Sequence, residues 1–152
     1  MKGQPSEELI EPRESAPSAL HKLWLSKKVG DELPRKSDFK PTEMKKYLSC
    51  IYLVDILDDA ADFRIRLFGT DVVRMLGRDY TGAVLSETAT ELNWRGEIYN
   101  LAYQRREPLF YLFNLGPFGR EYILTENALF PQLNSAGELA HLLCISVRTS
   151  QK

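Results

Sequence analysis

Apolar positions change period several times along the chain, and each change predicts an element. In PSALHKLWLSKKV (17–29), Leu20, Leu23 and Trp24 fall at i, i+3 and i+4, one stripe of a helix. Pro17 suits the first turn, Lys27 and Lys28 the last, and Gly30 the stop. Residues 41–48 predict a short helix begun by Pro41 or Thr42. SCIYLVDIL (49–57) is rich in β-branched and aromatic residues, a strand pattern. DDAAD (58–62) is a turn by its aspartates. In DFRIRLFG (62–69), Phe63, Ile65 and Leu67 alternate with Arg64 and Arg66, the mark of a half-buried strand closing a hairpin.

After Gly69 the period returns to helical. TDVVRMLG (70–77) predicts two turns, with Thr70 at the N-cap, Asp71 in the first turn and Gly77 as a left-handed stop. Residues 84–92 predict a further helical turn, with Thr88 and Glu91 at capping-box spacing. Residues 93–107 predict the longest helix, capped by Asn93 and ended by Pro108. Its stripe is Trp94, Ile98, Leu101 and Ala102, flanked by Tyr99 and Tyr103. Three strands follow at 108–115, 120–133 and 138–148, joined by the turns GPFG and NSAG. Pro131 is expected at a strand end or bulge. Hairpin-forming groups on either side of a helical insert predict an α+β fold: one antiparallel sheet with helices on one face, behind an N-terminal helical extension.

Composition narrows the class. The 152 residues fit one domain with a real core, placed at 17–148, and residues 1–16 are expected to be a disordered tail. A net charge of −1 gives no basic field for nucleic acid. No apolar run is long enough for a bilayer, and no secretory signal is expected. Cys50 and Cys144 lie far apart outside any CxxC, which suggests reduced core thiols and a cytoplasmic protein.

Several chemistries fail on spacing. RIRLFGTDVVRMLGRDYTG (64–82) begins like a phosphate loop, but no lysine follows Gly77, and Asp71 would repel a phosphate. Arg74 and Arg78 are read as a solvated helix face. Only His21 and His141 could ligate a haem, and neither is on the 93–107 helix. His141 and Cys144 face opposite sides of one strand, so no metal site is expected. What remains is aromatic. Trp94, Tyr99 and Tyr103 on the helix, with Phe113, Tyr122 and Phe130 on strands, form either core or a ligand pocket. Arg66 is a candidate polar anchor, unless it lies on the outer sheet face. Asp55, inside the apolar LVDIL, is the candidate acid of an alternative reading, a small cavity enzyme that moves a proton with a tyrosine. A ligand-free structural adaptor is the third reading.

The order of elements resembles the PAS fold. LHKLWLSKKVGDELPRKSDFKP, YLVDI, FRIRLFGT and GRDYTG together resemble short single-domain PAS proteins common in alphaproteobacteria, over residues 18–148. The resemblance implies a five-stranded antiparallel sheet in order 2-1-5-4-3, with helices enclosing a cavity against one face. It implies a sensory, ligand-binding or dimerisation module rather than an enzyme, without a cofactor that can be assigned. It further implies a homodimer, here through Leu20, Leu23 and Trp24. The output would pass by contact to a separate signalling protein such as a kinase. A small-molecule ligand would meet Arg66, Trp94, Tyr99, Tyr103, Phe113 and Tyr122.

Overall fold

A computed structural model describes residues 6–87 and 95–149. Its centre is a six-stranded antiparallel sheet of β1 (Ser6–Leu9), β2 (Ile51–Leu57), β3 (Asp62–Phe68), β4 (Leu109–Leu115), β5 (Arg120–Leu133) and β6 (Leu139–Arg148), in order β1-β4-β5-β6-β2-β3. The last five strands take the neighbour order expected of a PAS sheet. The sheet nonetheless has six strands, not five, because Ser6–Leu9 adds to the β4 edge from Ser6 opposite Phe113 to Leu9 opposite Phe110.

That edge strand corrects the disordered-tail reading for residues 6–16. The buried Glu126 carboxylate on β5 accepts from the backbone N–H of Arg13 (2.8 Å) and of Glu14 (2.9 Å). Glu14 in turn accepts from the Thr149 hydroxyl, and Glu8 pairs with Arg105. A polar segment is ordered here because its backbone donors meet a buried charge, an anchor that composition does not reveal.

Helix α1 (Ser15–Lys27) follows and lies across one sheet face. Leu20 and Trp24 sink against Phe110 and Phe130, and the Trp24 indole N–H donates to the Pro131 carbonyl at 2.9 Å. Pro131 is tolerated inside β5 because β4 ends opposite Leu129, leaving no ladder on that flank to break. The Pro41–Cys50 segment covers the rest of this face as 3₁₀ turns, broken at Met44 and Tyr47, where a continuous short helix was expected. Helices α2 (Thr70–Leu76) and α3 (Arg95–Arg105) cover the opposite face, so both faces are covered rather than one. The stripe expected to pair two copies is thus largely buried in its own chain: Leu20 and Trp24 are buried and Leu23 is half-buried.

The corner between β3 and α2 is set by Gly69. A Cβ there would run into the backbone carbonyls of Ser49 and Ile51. Gly69 is also the N-cap in place of Thr70, and Gly77 ends α2 at φ 80°, as the sequence predicts. Arg74 pairs with Asp71, and Arg78 lies over Tyr80 at 5.2 Å, both surface roles. The expected capping pair Thr88 and Glu91, the cap Asn93 and the candidate Trp94 lie outside the described residues.

Candidate functional site: a buried arginine among tyrosines

The face under α2 and α3 holds the larger apolar cluster, and one cation stands inside it. Arg95, Tyr99 and Ala102 share the buried side of α3 at i, i+4 and i+7. Arg95 is 2% exposed. Its guanidinium donates to the hydroxyls of Tyr52 on β2 (3.0 Å) and Tyr99 (3.3 Å). It also lies 5.5 Å from the Tyr52 ring centre, 6.0 Å from that of Phe113 and 5.9 Å from that of Phe118, distances at which ring faces attract a cation. Edge-on ring contacts, Phe63 with Tyr99 and Tyr52 with Phe68, hold the tyrosines in place.

Burying an ionised group costs several kcal/mol unless it is well solvated by protein dipoles. Burial works against the Arg95 charge, but the oxygens of Tyr52, Tyr99 and Tyr111 outweigh it and keep the guanidinium protonated. Burial pushes all three phenols up, so they stay neutral and can donate. On this face Asn127 Oδ1 has no hydrogen-bond partner among the described residues, and the Tyr111 hydroxyl is buried beside that of Tyr52. The centre therefore offers a fixed positive fork and phenol donors in a dry setting, a combination suited to holding a carboxylate. Burial raises the Cys144 thiol, which leaves it no nucleophile.

The structure brings together only part of the predicted set. Tyr99 and Phe113 meet at Arg95. Tyr103 is half-buried, and Phe130 lies on the opposite face beside Trp24. Tyr122 is 71% exposed and cannot line a core pocket. Arg66 lies on the outer face, exposed and ion-paired to Asp55 at 2.7 Å, so it is no anchor for an inner ligand. The residues missed are Arg95, Tyr52 and Tyr111. Arg95 stands four residues before Tyr99, and that i, i+4 pairing is the signal; reading every charge as solvent-facing hides it. Tyr52 and Tyr111 sit in strands apolar on both faces, where alternation cannot assign a side.

Asp55 also faces the outer side. Its carboxylate is bound by Arg66 and by His141 Nδ1 at 3.0 Å. Burial raises its pKa, but hydrogen bonds and charge from Arg66 and His141 outweigh that and lower it. An acid held ionised on the face away from the tyrosine centre does not fit the proton-transfer role considered for it. Among the described residues no helix is long and apolar enough to cross a membrane, and no three His, Cys, Asp or Glu side chains gather as a metal site.

A family model described as PAS domain matches residues 13–104, more than half of the chain. The chain belongs to the PAS domain family, whose members in general serve as sensory and interaction modules. Comparison with curated proteins gave no match, and comparison with solved structures gave none.

Proposed function

We propose that this PAS domain senses a small organic acid in its inner core and passes the signal by contact with a separate protein. The observation that carries the reading is the Arg95 centre: a buried guanidinium with the hydroxyls of Tyr52 and Tyr99, and the Tyr111 hydroxyl within reach of its charge. An acid seated there would exchange water for a charge-assisted fork and gain about 1.5–3 kcal/mol per bond to a charged group. Helix α3 carries both Arg95 and Tyr99, so a ligand drawing on them acts directly on the helix covering the sheet. The role is binding, not catalysis, because neutral phenols, a protonated guanidinium and a suppressed thiol supply no base.

A homodimer belongs to the same reading. With Leu20 and Trp24 buried in their own chain, the dimer must use other surface, such as the exposed Leu25 and Val29 beside that stripe. Two free cysteines suit a reducing cytoplasm. Native mass spectrometry of freshly purified protein tests the proposal. It should show a dimer mass and a retained or exchangeable acid that Arg95→Met loses. A bare monomer, unchanged by added carboxylates, refutes the reading.

A further inference from the structure

The outer sheet face carries a second site, separated from the Arg95 centre by the sheet itself. Between the 3₁₀ segment and strands β2, β3 and β6 lies a groove of about 530 Å³. That volume falls within the range of small-molecule sites, about 300–1,000 Å³. Its walls are apolar, with Met44, Leu53 and Leu143 inside and the half-exposed Leu48 and Leu67 at its mouth. One end is polar. Gln132 lines it and is 1% exposed, yet its Oε1 has no hydrogen-bond partner. His141 lines the same end, opposite Gln132 in the β5–β6 register.

The polar end selects a head group. Burial, with the charges of Lys36 and Arg66, favours the neutral imidazole more than Asp55 opposes it. A neutral His141 that donates Nδ1–H to Asp55 keeps only an acceptor on its other nitrogen. Gln132 Oε1, buried without a partner, and His141 Nε2 are acceptors that a ligand donor would serve, beside the N–H groups of the same Gln132 amide. The neighbouring Lys36 ammonium repels a cationic one and welcomes a carbonyl. A buried acceptor without a donor is costly, so a ligand that supplies one is favoured over one that does not.

We propose that this outer groove binds a small amphiphile: a short apolar chain along Met44, Leu53 and Leu143, with a neutral head whose hydroxyl or amide N–H donates to Gln132 and His141. The test is methyl NMR of the full chain titrated with N-hexylacetamide, and with N-hexyl-N-methylacetamide, which lacks the donor. The expected result is saturable shifts at the Met44, Leu53 and Leu143 methyls, with the donor-less amide about tenfold weaker. Gln132→Leu should narrow the gap between the two probes to the share left by His141. The wild-type comparison stands even where that variant fails to fold. Equal affinities for wild type would mean that water serves the acceptors, and would overturn the proposal. So would shifts confined to inner-face methyls such as Leu129 and Leu142, or no saturable shift at the probe's solubility limit. Arg95→Met should leave N-hexylacetamide binding unchanged, so failure at this groove and failure at the arginine centre are told apart.

Discussion

Replacing Trp24 by Phe tests whether α1 is seated on its own sheet. Trp24 fills the outer face beside Phe130 and bonds the Pro131 carbonyl through its indole N–H. Phe keeps an aromatic ring but cannot donate. The lost bond is worth about 1 kcal/mol net, and a carbonyl left buried without a donor costs about 1–3 kcal/mol. The smaller ring leaves a void as well, and large-to-small core changes add a cavity cost of their own. Together these give a loss of about 2–4 kcal/mol. At about 2–4 °C per kcal/mol for a chain of this size, Tm should fall by roughly 5–15 °C. Thermal melts and urea titrations followed by circular dichroism read both quantities. Lys22→Ala, on the exposed side of the same helix, is the control and should stay within about 0.5 kcal/mol. A Trp24→Phe protein as stable as that control would refute the packing of α1 in its own chain.

Glu126→Ala removes the carboxylate that binds the Arg13 and Glu14 amides. Hydrogen exchange should then speed up across residues 6–14 while β5 and β6 stay protected; unchanged protection of 6–14 would show that Glu126 is no anchor. Acid should weaken the fold in two stages. Both histidines have folded pKa values below 6.5, His21 through burial and His141 chiefly through burial, so the unfolded chain takes up protons first. Their contribution is complete above pH 6.5 and is lost as pH falls toward the folded values. Asp55 acts lower: its folded pKa is below 3.8, so its contribution is complete above that pH and is lost as pH falls through the folded value. Tm measured against pH should decline below 6.5, and His141→Gln should flatten that decline to the share left by His21. An unaltered slope would contradict a neutral, half-buried His141.

Much of the fold was legible because its cues are local. Alternation in 62–66, the glycine at 77 and the turn residues at 134–137 act over a few residues, and the strands and α2 follow from them, although Leu67 is exposed where the pattern would bury it. Long-range partners were not legible. Ser6–Leu9 is a strand only because β4 offers a free edge, and residues 10–14 are held through Glu126, more than a hundred residues away. Trp24 reads as an interface residue until Pro131 is seen to supply its acceptor. The site was legible by half for a similar reason. Tyr99 and Phe113 stand out as aromatics, whereas Arg95 is a charge that polarity assigns to solvent, and its hydrogen bonds to tyrosines from β2 and α3 help make its burial tolerable. Tyr122 shows the converse: an aromatic in a strand that points out to water.

The central claim is that Arg95 and its tyrosines receive a small acid. Tyrosine-ring NMR of the wild type and of Arg95→Met, titrated with acetate, succinate and benzoate, tests it most directly. The account predicts saturable shifts of the Tyr52, Tyr99 and Tyr111 ring signals for at least one of these acids in the wild type and none in the variant. Rings that stay unmoved by all three acids, or that move equally in both proteins, would contradict it.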